Sequence, residues 1–200
     1  MTSTPQRPGG RSARVREAVM AATAAELSER GFAAMTIEDI AARSGVHKTT
    51  IYRRWSTLSQ LVADAAIEVS ATTVPIPDTG SIESDLREMA RSIVALVTSE
   101  SGGALVAALF SDAVRTPEVA RLKREFYSAR YELADIVVRR AVERGEISEK
   151  VSAADLLAAV AAPIYYRLLV ADLPVDQSVA DRAAAGALAA ARAGALDQAE

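Results

Sequence analysis

The chain has 200 residues, half of them hydrophobic, with a formal net charge of −3, no cysteine and one histidine. That length and apolar content suit one large domain or two small ones around a buried core. The missing cysteines exclude disulfides, thiolate zinc sites and cysteine nucleophiles, and His47 alone cannot build a multi-histidine metal site.

The opening "MTSTPQRPGGRSARVRE" has no apolar run ahead of a cleavage-like site. No window approaches eighteen apolar residues without a charge. The expectation is a cytoplasmic chain with no membrane partner, no metal and no cofactor. Charge is uneven along it. Residues 1–60 hold nine Lys/Arg against five Asp/Glu, a surplus of +4, and residues 61–200 hold fourteen against twenty-one, or −7. A basic head on an acidic body is the footprint of a nucleic-acid-binding module joined to a domain with another task.

Residues 1–11 read as a flexible Pro/Gly/Arg arm. From about 12 to 30, Val15, Ala18, Val19, Ala22 and Leu27 recur at helical spacing, and Gly31 stands where a helix C′ residue belongs, with Phe32 folding back. Thr36-Ile-Glu-Asp39 opens a short helix like a capping box, ending near Arg43 before Gly45. A second short helix is expected over roughly 47–54 and a longer one over 57–72. "TTVPIPDTGS", 72–81, is a linker. Further helices are expected over roughly 81–99, 103–113, 117–144, 152–172 and 177–195, broken at Gly102–Gly103, Pro117, Gly145 and Leu173–Pro174. Pro163 predicts a kink in its helix. The fold class is all-α, with about nine helices.

Within "TIEDIAARSGVHKTTIYRRW", a short helix, a tight turn and a second short helix make a helix-turn-helix plan. Ile37, Ile40 and Ala41 form the inner face of the first helix; Val46, Ile51 and Trp55 bury the second. Lys48, Thr49, Thr50, Tyr52 and Arg53 are then left on one exposed sector. Lysine and arginine read guanine or pair with phosphate, threonine offers a hydroxyl and a methyl, and the tyrosine hydroxyl reaches phosphate. A solvated basic helix face would show the same spacing.

The stretch "TAAELSERGFAAMTIEDIAARSGVHKTTIYRRW" (23–55) resembles the tetracycline-repressor (TetR) family of transcriptional regulators. The likeness is carried by "ERGF", by the T-I-x-D-I-A-x-x-[SA]-G-V helix and turn, and by the T-[LI]-Y-x-x-[FW] end of the second helix. It covers about residues 12–62. "PIYYRLLV" at 163–170 also looks like the C-terminal domain of one branch of that family. The resemblance implies a helix-turn-helix DNA-binding domain over 12–60 and an effector-binding and dimerisation domain over 61–200. It places Thr36 at a phosphate, and Lys48, Thr49, Thr50, Tyr52, Arg53 and Arg54 at groove and backbone positions. His47 stands where a capping serine is usual, and Leu58 where a lysine is frequent. Arg7, Arg11, Arg14 and Arg16 suit either a minor-groove arm or a solvated tail.

Six of the nine aromatic residues lie between 110 and 166. Phe110, Phe126, Tyr127, Tyr131, Tyr165 and Tyr166 suit either ordinary helix packing or a cavity that partners their hydroxyls. The resemblance implies an effector pocket there, with Met89, Ile93 and Leu96 on its lid side and Arg167 as counter-charge to an anionic ligand. The last two helices are rich in alanine and glycine. Ala183, Gly186, Ala187, Ala190 and Gly194 are expected on one face, fit for a two-fold dimer or for packing within one subunit.

The reading is a dimeric repressor of palindromic operator DNA, released by a small-molecule effector. A DNA-binding regulator without a ligand is the alternative. An all-α enzyme is the other, for which no cluster of acid and base groups is present.

Overall fold

A computed structural model describes residues 10–112 and 117–198, and within them nine α-helices follow most of the punctuation in the sequence. They are α1 (Gly10–Arg30), α2 (Ile37–Ser44), α3 (Lys48–Arg54), α4 (Leu58–Thr73), α5 (Ile82–Thr98), α6 (Glu100–Asp112), α7 (Pro117–Glu143), α8 (Ala153–Tyr165) and α9 (Gln177–Arg192). Arg7 lies outside the described residues.

Local chemistry sets most of the ends. Gly31 (φ 72°) and Gly45 (φ 67°) adopt the positive φ that closes α1 and α2, conformations costly for a side chain with a Cβ. Thr57, Ser81, Ser152 and Asp176 each accept a hydrogen bond from a backbone N–H in the first turn of α4, α5, α8 and α9.

Three expectations are corrected. Gly102–Gly103 does not break a helix but sits in the first turn of α6. A Cβ on Gly102 would collide with Leu96 O, and one on Gly103 would stand 2.7 Å from Val97 O, so the pair lets α6 start hard against the end of α5. The long helix expected over 152–172 ends at Tyr165 and widens into a π-turn over Tyr166–Val170, three residues beyond Pro163. The helix expected to reach 195 ends at Arg192. Gly194 lies past it at φ 73° and shares no helix face with Gly186.

By length and hydropathy the window Ala153–Val170 is apolar enough to cross a membrane, but Asp155 and Arg167 lie inside it, so it is not an apolar run free of charge. Leu156, Leu157, Val160 and Ile164 of that window pack into a core, yet only 22% of it is buried. The stretch is therefore a core helix with one face left uncovered.

Two apolar cores form. The head core gathers Val19, Leu27, Ile37, Ile40, Ile51 and Trp55 with Leu61–Ala66 of α4 and, from α6, Leu105 and Ala108. The body core gathers α5, α7, α8 and α9, and takes Val106 from the same α6. α6 thus contributes to both cores, and Val69 of α4 packs against both.

Candidate nucleic-acid interface

The head presents α3 on a rigid base. Ile51 is fully buried, Trp55 is 2% exposed, and Val46 packs half-buried beside them. The Trp55 indole Nε1 donates to Asp64 on α4 at 2.9 Å, and Arg16 of α1 pairs with the same carboxylate at 2.7 Å and with Glu68. Burial pushes the Asp64 carboxyl up, but the bonds from Arg16 and Trp55 and the charge of Arg16 outweigh it, leaving the group below its usual range. At the other end, Arg43 of α2 pairs with the buried Glu26 (2.7 Å) and with Glu29, and Arg30 pairs with Asp39 (2.9 Å). These bonds fix both helices of the motif to α1 and α4.

Thr36 caps α2 in a complete capping box. Its hydroxyl accepts from the Asp39 N–H (3.2 Å) and donates to the Asp39 carboxylate (2.6 Å), which in turn accepts from the Thr36 N–H (3.0 Å). Thr36 is exposed, but a phosphate must compete with Asp39 for its proton. His47 does cap α3: its Nδ1 accepts from the Thr49 N–H at 3.4 Å and lies 2.9 Å from the Thr49 hydroxyl. Because Nδ1 is the acceptor, the ring proton belongs on Nε2, at the exposed end of the helix.

The outer face of α3 carries Lys48, Thr49, Tyr52, Arg53 and Arg54, all exposed, with Tyr52 at 46%. Lys48 stands 3.6 Å from Glu38 of α2. The Arg54 guanidinium lies 5.4 Å from the Trp55 ring centre and 3.5 Å from the Ser12 hydroxyl. Among the described residues Arg53 makes no ion pair, which leaves it the freest cation on the face. Thr50 departs from the sector expected of it: it is half-buried in a groove between α1 and α3, lined also by Ser12, Val15 and Val46.

In the body, the structure brings Phe110, Tyr127 and Tyr165 together. The Phe110 and Tyr165 rings are 5.2 Å apart, and the Tyr127 hydroxyl interacts with that of Tyr165. Phe126 and Tyr131 flank Tyr127 at 5.1 and 6.2 Å, Tyr131 at the solvent edge. Met89, Ile93 and Leu96 are buried in the body core on α5.

Tyr166 and Arg167 stand apart from this cluster. Tyr166 is 60% exposed, and Arg167 donates to the Pro174 carbonyl while lining a groove between α8 and α9 with Ala183, Gly186 and Ala187. Sequence reasoning missed Arg130, which is 7% exposed and donates to the Val74 carbonyl at 2.7 Å. It also missed Lys123, whose Nζ lies 4.2 Å from the Phe110 ring centre. The spacing Lys123, Tyr127, Arg130, Ala134 was the available signal, since it puts both cations on the inward stripe of α7.

On α9, Ala183 and Ala187 face the body core, while Gly186 is exposed and Ala190 half-buried. The outward strip holds Ala185, Gly186 and Ala189, and α8 with its π-turn adds Ala158, Ala162, Pro163, Tyr166 and Val170.

Comparison with known proteins agrees with this geometry. Residues 19–65 match the family described as "Bacterial regulatory proteins, tetR family", and residues 76–187 match "Tetracyclin repressor-like, C-terminal domain". The HTH-type transcriptional regulator AqdR of Rhodococcus erythropolis is 37% identical over 71% of this chain and 68% of its own length. The uncharacterized HTH-type transcriptional regulator YdeS of Bacillus subtilis is 27% identical over 81% of this chain and 82% of its own. Among solved structures, the TetR family transcription regulator SCO0332 superposes with a TM-score of 0.74 at 32% identity, covering 88% of this chain and 97% of that one.

Proposed function

The chain belongs to the TetR family of bacterial transcriptional regulators, and from that premise we propose that it is a ligand-responsive repressor acting in the cytoplasm. A homodimer presents two copies of α3 to the halves of a palindromic operator, and a small-molecule effector in the body releases it. The observation that carries this reading is the pairing of an exposed cationic α3 with a helix, α6, that belongs to both cores.

Three features support its parts. The exposed faces of Tyr52 and Arg53 suit phosphate and base contacts. The uncovered apolar strip on α8 and α9 is what an isologous two-fold contact would cover, and a two-fold dimer matches a palindromic site. The Phe110–Tyr127–Tyr165 cluster supplies apolar surface with polar hydroxyls, the chemistry of a small-molecule site. Release then requires that the effector bind more tightly to the state whose α3 spacing misfits the operator.

Selection of bound duplexes from a random pool, then titration of the winner with Arg53→Ala and Tyr52→Phe, tests the reading. An inverted-repeat winner weakened by both changes is expected. No enriched sequence would remove operator reading from the account.

A further inference from the structure

Protein interiors rarely hold an isolated cation, because leaving water costs more than neutral dipoles return. The inward stripe of α7 breaks that rule at Arg130, and the half-buried Lys123 adds a second cation to the same stripe. Arg130 is 7% exposed, and among the described residues no carboxylate lies within ion-pairing distance of it. Among those residues it donates to the Val74 carbonyl at the C-terminal end of α4. A guanidinium offers five N–H donors and keeps its proton at any physiological pH, so it cannot escape by neutralising. Seven residues earlier, Lys123 rests over the Phe110 ring, again with no carboxylate among the described residues. Burial pushes both groups down from their ordinary values, and for Arg130 the nearby Tyr165 and Tyr127 only partly offset that.

Between the two cations lie Tyr127 and Tyr165, beside the ring of Phe110. The local composition is therefore an aromatic surface, two hydroxyls and two positive charges, with no carboxylate paired to either cation among the described residues. The carbonyl dipole at the end of α4 satisfies one N–H of Arg130 and leaves its net charge standing.

We infer that the effector is an anion with a planar aromatic body, whose carboxylate or equivalent acid group is held by Arg130 and Lys123 while its rings lie against Phe110 and Tyr165. The inference deepens the proposed function and rests on its claim of an effector site in the body. It also supplies a coupling. An acid group that pairs with the free N–H donors of Arg130 shares the guanidinium with Val74 O, and so ties the ligand to the end of α4, whose start packs beneath Trp55 and α3. In this arrangement Arg130 fills the counter-charge role that sequence reasoning gave to Arg167.

The test uses two fluorescent probes with one ring skeleton: 8-anilinonaphthalene-1-sulfonate, an anion, and N-phenyl-1-naphthylamine, which is neutral. The full-length protein is expected to bind the anion at least ten-fold more tightly. Arg130→Met is expected to abolish that preference while leaving the neutral probe's affinity and the ligand-free melting temperature unchanged or raised; Arg130→Lys keeps part of the preference. A residue that merely capped α4 would lower the melting temperature on Arg130→Met and leave the preference intact, which overturns the inference. If Arg130→Met does not fold, Lys123→Met carries the test: a threefold or greater loss of preference supports the inference, and no change overturns it. Two further results separate the levels of the argument. Equal binding of both probes, weakened by Phe110→Ala, would keep the effector site and discard the anion. Binding of both that ignores Phe110→Ala and Arg130→Met alike would discard the site as well.

Discussion

The Trp55 indole donates to Asp64 at 2.9 Å, and the same carboxylate holds Arg16 at 2.7 Å. Three helices, α1, α3 and α4, thus meet at one side chain, and the end of α3 cannot tilt without breaking a partly buried bond. Replacing Asp64 by Ala strands the indole N–H and Arg16. The expected cost is about 1–3 kcal/mol of stability, read by urea denaturation, together with weaker DNA binding from a loosened α3.

Asp64 also predicts a pH dependence. Its folded-state carboxyl lies below the usual range, so the stability it contributes is present above the unfolded-state value of about 4 and is lost as pH falls through the folded one. Melting temperature should therefore drop on acidification below about pH 4, and Asp64→Asn should show a shallower drop than wild type over that window.

Lys48 stands 3.6 Å from Glu38, both exposed. If α3 meets DNA as proposed, the pair holds the lysine back from phosphate and puts a negative charge beside the contact surface. Glu38→Gln should tighten operator binding several-fold and leave stability nearly unchanged, since exposed pairs contribute about 0–1 kcal/mol. Anisotropy titration at fixed salt checks this; unchanged affinity would place Glu38 away from the backbone path.

His47 occupies the α3 N-cap through Nδ1. His47→Ser keeps an acceptor at that position and should match or exceed wild-type stability, whereas His47→Ala should lose about 1 kcal/mol. Loss of DNA affinity in the Ser variant despite intact stability would assign Nε2–H a direct phosphate contact.

Gly186 is exposed, and a Cβ built there meets nothing within 4 Å. Within one protomer Gly186→Arg should be neutral or mildly stabilising, because glycine costs about 1 kcal/mol in a helix. In a dimer joined through α8 and α9 the arginine would be driven into the contact. Light scattering should show the mass halved and operator affinity lost, with the monomer still folded.

Much of the head was legible because its signals are local. Gly31, the Thr36–Asp39 box, Gly45 and the apolar Ile37, Ile40 and Ile51 each act within one or two turns, and each appears where expected. The features missed depend on distant packing. Gly102–Gly103 reads as a break in isolation, yet the approach of Leu96 and Val97 is what requires glycine there. Arg167 was expected as counter-charge in the pocket that the resemblance implies, but two residues of helical rotation turn it away from Tyr165, toward Ala183 and Pro174. Arg130 is buried only because the end of α4 packs over it, which no local pattern reports.

The most direct measurement of the central claim is affinity, as a function of salt, for a pool-selected duplex and for a shuffled duplex of the same composition, with wild type and Arg53→Ala. The account predicts at least about 1,000-fold preference for the selected duplex at physiological salt. It also predicts a steep fall in affinity with salt, and a slope shallower by about one in Arg53→Ala. Equal, salt-sensitive binding of both duplexes, untouched by Arg53→Ala, would contradict it and reduce α3 to a basic surface.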